Sequence, residues 1–460
     1  MGNSSRRWLA RWVATGLCGS GATLAAFACS GGASKESGFV VDSGTPVTTI
    51  TDGSSSSAID SPSIGSLFGD GSVGTTEDTG TGIIVQGPDD ASFDFDGFAH
   101  PDGYSEASYC LDDDGDGFTT CAGDCDDHDS LVNPCAFDTN AASGDAVGSD
   151  GIDNDCDGTV DNRITCDSTL TAGQSTTAAD YASAIELCSN PRCPIVQAVT
   201  FNTLSSSQAR RITAHMGNTF KPHAGSFMAY LSSGVAEDDI DTTPSTNPYY
   251  PGDGTGFGAG GTNPSPLNPA QNPNACSATG ADEHAVSAND MVELDLTLKA
   301  PINAGSFTFD FNFFSEEYPL YVCAGFNDTF LAMLTSQQFP TPTQISYDQN
   351  GHRVNVNNGF FADCPTVTNQ ASGGSTFSHT CSGGLGPLAK TGYEHTYSGN
   401  SSKGSGATDW LKTTAPIKPG ETFTLKFYIF DEQDDILDSA INLDNFRWGS
   451  TTISNPITAR

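Results

Sequence analysis

From Tyr109 to Asp167 the chain carries sixteen Asp residues against a single Arg, Arg163, and no Lys. Like charges a few ångströms apart repel, so this segment cannot collapse on apolar contacts alone unless positive charge sits among its carboxylates. The aspartates are also regularly placed: Asp112, Asp114 and Asp116 alternate, and so do Asp153, Asp155 and Asp157. In a D-x-D-x-D-G run three side-chain oxygens turn to one side of a tight loop. The glycine, Gly117 or Gly158, permits the turn. A donor set made only of oxygen selects a hard divalent cation, calcium first. Cys110, Cys121, Cys125, Cys135, Cys156 and Cys166 are interleaved with the acids, and disulfides fix loops that an acidic linker would leave free.

The expected ligands of the first loop are Asp112, Asp114, Asp116 and the backbone carbonyl of Phe118. Gly123 stands at the twelfth position, where an EF-hand places its bidentate Glu. Completion of the shell therefore falls to Asp124, Asp126, Asp127 or Asp129. The second loop offers Asp153, Asp155, Asp157, the Thr159 carbonyl and Asp161. The run from Cys110 to Asp161, with DDDGDGFT, DCDDHDSLVNP and GIDNDCDGTVD, resembles the MopE-type metal-binding motif of bacterial surface proteins. That resemblance carries an association with copper. His128 is the only histidine in the run, and copper favours imidazole or sulfur, so the residues themselves favour calcium over copper.

A chain of 460 residues has room for two or three domains. The formal net charge is −38, and no Lys or Arg occurs between Lys35 and Arg163. Nucleic acid is excluded as a partner, because binding it needs clustered basic residues. An anionic membrane surface would repel the chain, which leaves a lipid anchor as its one route to a membrane. Residues 1–29 read as an export signal: Arg6, Arg7 and Arg11 precede a mostly apolar stretch from Trp12 to Phe27, then Ala26-Phe27-Ala28. Cys29 follows, before Ser-Gly-Gly, and resembles the lipid-modified cysteine of bacterial lipoproteins, while Ser5-Arg6-Arg7 loosely resembles a twin-arginine start. The expected location is the cell surface or outer membrane as a lipoprotein, or the medium as a secreted protein. Residues 30–104, rich in Gly, Ser, Thr and Asp, read as a disordered linker, and 105–167 as the Cys/Asp-rich metal module. The remaining cysteines, Cys188, Cys193, Cys276, Cys323, Cys364 and Cys381, are again even in number, consistent with disulfides made in an oxidising compartment.

Residues 168–460 read as one short helix followed by β-structure. Thr177 and Asp180 suggest a capping box, with Tyr181, Ala184, Ile185 and Cys188 on one helical face, and a disulfide at Cys188 or Cys193 would tie it down. Val292 to Leu298, Phe307 to Phe313 and Phe423 to Ile429 alternate apolar with polar residues, and Ile441 and Leu443 continue the pattern. Alternation directs one set of side chains to a core and the other to water. Asn350-Gly351 suits a hairpin turn, and residues 242–280 read as a long surface insertion. The expected fold is mainly β, a C-terminal sandwich or jelly roll behind a small disulfide- and metal-stabilised loop module.

Two acidic clusters begin where phenylalanine-rich strands stop. One holds Glu316, Glu317 and Asp328; the other holds Asp431, Asp434, Asp435 and Asp438. If both loops emerge at one end of the sandwich, Glu316, Glu317, Asp328, Asp431, Asp435 and Asp438 form a second cation site. Otherwise they are solvated turn residues. The segments FFSEEYPLYVCAGFNDTF and DEQDDILDSAINLDNF resemble the choice-of-anchor L domain, over roughly residues 194–449. That resemblance implies a β-rich extracellular module on bacterial proteins with varied surface anchors, and it hands over no catalytic residues.

The function expected from these features is calcium binding at the cell surface, with adhesion or capture of an extracellular glycan or protein and no catalysis. The rival is a secreted glycoside hydrolase using Glu316 or Glu317 with Asp431 or Asp435, and Tyr318, Tyr321 and Trp410 as aromatic platforms. His215 and His223 offer imidazole, but no H-E-x-x-H or C-x-x-C frame surrounds them. No G-x-S-x-G motif or phosphate-binding loop occurs either, and the Gly-rich stretch 252–261 reads as a loop.

Overall fold

Four phenylalanines at every second position, Phe307 to Phe313, demand an apolar layer on one side of a strand. In the computed structural model a second sheet supplies it. The structure describes residues 110–460 apart from 111, 139–149, 190–191, 203–205, 242–260, 263, 265–286, 323–325, 349, 358, 373–374, 395–403 and 405. The export signal with Cys29, the 30–104 linker, most of the 242–280 insertion, Cys276 and Cys323 lie outside the described residues.

In chain order the elements begin with helix α1 (Ala178–Ala184) and strands β1 (Val196–Phe201), β2 (Arg210–Thr213), β3 (Met228–Ser232) and β4 (Gly261–Thr262). There follow β5 (Ser287–Lys299), β6 (Ser306–Ser315), β7 (Thr329–Thr335), β8 (Thr343–Gln344), β9 (Val354–Asn355) and β10 (Phe361–Asp363). The hairpin β11 (Val367–Ser372) and β12 (Ser375–His379) comes next. The chain closes with β13 (Gly406–Thr408), β14 (Leu411–Pro416), β15 (Thr422–Glu432), β16 (Ser439–Gly449) and β17 (Ile457–Ala459). One sheet runs β1-β5-β15-β7-β8, with β4 on β5 and β9 on β7. The other runs β10-β13-β6-β16-β3-β2, with β14 on β6 and β17 on β14. All these pairings are antiparallel. Among the described residues no helix is long and apolar enough to cross a membrane.

The sandwich core forms where β6 faces β5, β15 and β7. Phe307, Phe309, Phe311 and Phe313 are buried against Leu294, Leu296, Leu298, Phe427 and Phe330. The ring of Phe309 meets that of Phe427 edge-on at 4.9 Å, and Phe311 lies 4.7 Å from Phe330. The mainly β, two-sheet fold expected from the alternation is the fold observed. Its other face departs from expectation. Phe314, Tyr230, Tyr393 and Leu388 make a second buried cluster, and Ala288, Leu331, Tyr428 and Phe430 a third. Over the β6 sheet, Met216, Phe220, Leu388 and Tyr393 from connecting segments cover a surface that a bare sandwich would leave in water. Asn312 is consequently buried and accepts a hydrogen bond from Asn442 Nδ2 at 3.0 Å.

Helix α1 buries Tyr181, Ala182 and Ala184, with Ile185 and Leu187 just beyond its end, in the main core. The capping box does not form: the Thr177 side chain makes no cap bond, and Ser175 Oγ donates instead to Asp180 Oδ2 at 2.6 Å. Among the described residues five disulfides join Cys110 to Cys121, Cys125 to Cys156, Cys135 to Cys193, Cys166 to Cys188 and Cys364 to Cys381. Two of them, at Cys193 and Cys188, fasten the acidic segment to the chain around α1 and β1. The Phe137 backbone adds a reciprocal pair of bonds with the Asn303 amide, at 3.0 and 2.8 Å.

Beneath this junction lie two buried acids. Burial, then the nearby Asp167 charge, pushes Glu186 up to about 7, against the pull of Arg163. Burial likewise pushes Asp444 up to about 7, although the N–H groups of Ala224, Asn445 and His223 donate to it. Acids raised on folding stabilise the native state at low pH, and that contribution is lost as pH climbs through the folded value. In chelator, the urea midpoint should therefore fall between pH 5 and pH 8, and Asp444→Asn should flatten the fall. A midpoint that rises with pH would contradict this. For the core, Phe311→Ala should cost about 3–5 kcal/mol in the same titration. Ile457→Ala, whose side chain is exposed, should cost within about 0.5 kcal/mol of nothing.

Candidate cation sites

The first acidic loop is folded by its own backbone. The N–H groups of Gly115, Asp116 and Gly117 donate to Asp112 at 2.6, 3.1 and 2.9 Å. Asp116 N–H also reaches Asp114 Oδ1 at 3.2 Å, and Phe118 N–H reaches Asp116 Oδ1 at 2.7 Å. Gly117, at φ 97°, adopts the left-handed conformation that the turn requires. The result is a set of oxygens, one each from Asp112, Asp114 and Asp116, all within 4.8 Å of one another. Asp124 is buried beside them, and its Oδ2, like that of Asp114, meets no donor. Desolvation, with the Asp116 and Asp114 charges behind it, raises the Asp124 pKa.

Of the other residues expected to complete this shell, Asp127 stays close, adding its charge to those acting on Asp114 and Asp124. Asp126 is exposed. Asp129 spends Oδ1 on its own turn, accepting Leu131 N–H at 3.1 Å. Asn133 was not anticipated: its Nδ2 donates to Asp116 Oδ2 at 2.7 Å and orients that carboxylate.

The second loop repeats the pattern. Asp157 N–H donates to Asp153 Oδ1 and Asp155 Oδ1 at 3.1 and 3.2 Å, and Gly158 N–H donates to Asp153 Oδ2 at 2.9 Å. Thr159 N–H reaches Asp157 Oδ1 at 2.8 Å, and Asn162 Nδ2 holds Asp157 Oδ2 at 2.6 Å, as Asn133 holds Asp116. One expected ligand leaves the set and one unexpected residue enters it. Asp161, at φ 52°, turns to the N–H groups of Asp150 and Gly151, at 3.1 and 3.2 Å. Asp138 enters instead, with Asp138, Asp153 and Asp155 offering oxygens within 4.8 Å of one another. Asp138 is held by the N–H groups of Asn154 at 2.7 Å and Asn162 at 2.9 Å. Burial, then the charges of Asp138, Asp157 and Asp153, pushes Asp155 up to about 7. The Cys125–Cys156 bridge and the bond from Asn133 N–H to the Asn154 carbonyl, 2.9 Å, clamp the two loops together.

In the sandwich, strand register brings the two later clusters to one end. Ser315 of β6 faces Ser439 of β16, so Glu316 and Asp438 extend one rung of one sheet. Phe430 of β15 faces Thr329 of β7, so Asp431 and Asp328 extend one rung of the other. Ser439 Oγ spans the sheets to Asp328 Oδ2 at 2.6 Å, and Asp328 N–H reaches Glu317 Oε2 at 3.2 Å. Glu316, Glu317, Asp328, Asp431 and Asp438 are all at most 2% exposed. Asp435 does not join them, because it sits exposed on the intervening turn, whereas Asp434 is half-buried and adds its charge to Glu317 and Asp328.

This burial bears on the hydrolase reading, since a glycan cannot reach carboxylates closed off from solvent. Tyr318 is no platform either; it stacks on Phe361 at 3.6 Å in the core. His215 and His223 each hold a carboxylate, Asp238 at 2.9 Å and Asp310 at 2.8 Å.

A family model described as the choice-of-anchor L domain matches residues 189–446, more than half of the 460-residue chain. No curated protein and no solved structure matches. The matched span contains both sheets' central strands and all five buried carboxylates at the end of the sandwich. The chain therefore belongs to the choice-of-anchor L domain family, a family of surface-associated proteins.

Proposed function

We propose that this protein binds calcium at the cell surface, in the paired aspartate loops, and presents its β-sandwich as a non-catalytic adhesion or ligand-binding module. The observation that carries the reading is the repetition: two separate loops fold their carboxylates inward through the same backbone hydrogen bonds. Oxygen is the only ligand type gathered in either loop, which suits calcium and not copper. His128, the one imidazole in the segment, is exposed and 4.0 Å from Asp113. The resemblance of this segment to the MopE-type motif supports a metal site. Residues 1–29 would export the chain, Cys29 would carry the lipid, and 30–104 would space the folded part from the membrane. An extracellular glycan or protein suits a strongly acidic sandwich whose loops are set by bound cations.

A cation held by the native state alone stabilises it in proportion to the logarithm of its excess. At a hundredfold excess over Kd the gain is about 2.7 kcal/mol per site. Calcium should raise the melting temperature of the full exported chain by roughly 2–4 °C per site. Asp155→Ala should shrink that calcium-dependent rise, and Asp114→Ala should shrink it independently. Equal melts with calcium and with chelator would overturn the proposal. A glycan panel should show binding without turnover; turnover abolished by Glu317→Gln would favour the hydrolase.

A further inference from the structure

We propose that the cavity between the acidic segment and the end of β16 binds a small organic carboxylate with an apolar body, anchored by Arg447 and admitted by calcium on the second loop. The proposal deepens the ligand-binding reading by giving it a place and a ligand class. It rests on the loop reading for its calcium dependence.

The cavity, of about 100 Å³, draws its walls from both parts of the fold. Phe137 and Ile164 line it from the acidic segment, and Ile195, Phe446 and Trp448 from the chain at β1 and β16. Ile164 is 43% exposed, a large apolar side chain left open to water at this wall. The Cys135–Cys193 and Cys166–Cys188 bridges fix one side against the other. A water needs roughly 10–15 Å³ of such space, so a molecule of several non-hydrogen atoms has room. Apolar walls with a few charged groups are the usual make-up of a small-molecule site.

One charged group in these walls lacks a partner. Arg447 is 9% exposed; its Nη1 donates to the Phe446 carbonyl at 2.6 Å, while Nε and Nη2 are buried and meet no acceptor. A guanidinium taken out of water without an anion is costly, and its planar fork matches a carboxylate. Strand β16 bulges just before it: the register with β6 shifts between Asp444 and Arg447, and Asn445 lies at φ 55°. Bulges re-aim the side chains that follow them and gather beside functional sites. Rotation of the flexible stem would swing the fork onto a bound carboxylate. Arg163, the one base of the acidic segment, lines the same cavity; its Nε meets no acceptor and its Nη2 lies 3.4 Å from Asn445 Oδ1. Three acids share the lining: Glu186, on which Arg163 acts, and Asp138 and Asp155, which belong to the second loop's oxygen set. Two guanidiniums against three carboxylates repel an anion. A divalent cation on the loop reverses that balance.

Isothermal titration calorimetry of the full exported chain with phenylacetate, in calcium and in chelator, tests the proposal. In calcium, phenylacetate should bind at least about tenfold more tightly than its neutral isostere phenylacetamide, and about tenfold more tightly than it does in chelator. Arg447→Met should abolish the preference for the acid over the amide. It should melt no lower than the parent, because an apolar chain replaces an unpaired buried charge. Its calcium-induced rise in melting temperature should match the parent's. Equal affinity for acid and amide, undiminished binding by Arg447→Met, or no binding in calcium would overturn the proposal. Glucuronate bound more tightly than phenylacetate would overturn the apolar body. The two readings fail separately. A calcium-induced rise in melt without phenylacetate binding sinks the cavity and keeps the loops. Phenylacetate binding that ignores calcium, in a chain whose melt ignores it too, sinks the loops and keeps the Arg447 anchor. Should Arg447→Met not fold, Arg163→Met provides the same comparison of acid with amide.

Discussion

Repulsion between carboxylates governs this protein. Two unit charges 4 Å apart interact by about 1 kcal/mol in water and by about 4 kcal/mol at an effective dielectric constant of 20. The fold brings acids closer together than their sequence spacing does, and it does so at two levels. In the loops, backbone N–H groups draw Asp112, Asp114 and Asp116 into one small volume. In the sandwich, strand pairing carries five acids into the interior. Apolar burial on the scale of the phenylalanine core can hold the sheets together, but it does not neutralise charge. Cations do that directly.

The two levels are mechanically connected. Cys135–Cys193 and Cys166–Cys188 run from the acidic segment to the chain around α1 and β1, and α1 is packed into the core that β6 shares with β15. Stiffening the loops therefore stiffens their attachment to the sandwich. The buried acids sit where the strands hand over to loops.

Much of this was legible in the residues. Alternation around Phe307–Phe313 and Val292–Leu298 located β6 and β5, because a period of two has one structural meaning when one face is apolar. The loop motif announced itself through spacing, since its ligands are local. What failed to show was non-local. Asp138 lies well before Asp153 in sequence, and only the folded loop brings it there. Asp435 and Asp431 look alike as acids near a strand end. One sits within the strand and is buried, while the other caps an exposed turn, a distinction that register makes and composition does not. Pairing of Cys135 with Cys193 was equally hidden, because six cysteines in a segment are compatible with many connectivities. The capping box at Thr177 failed for a local reason: Ser175 was nearer to Asp180 in the folded turn.

Elemental analysis of the exported chain, purified without chelator, tests the cation dependence most directly. Calcium at two or more equivalents per chain, with copper at background, is the expected result. Protein that carries no divalent metal after equilibration in millimolar calcium, yet melts as it does in chelator, would contradict it.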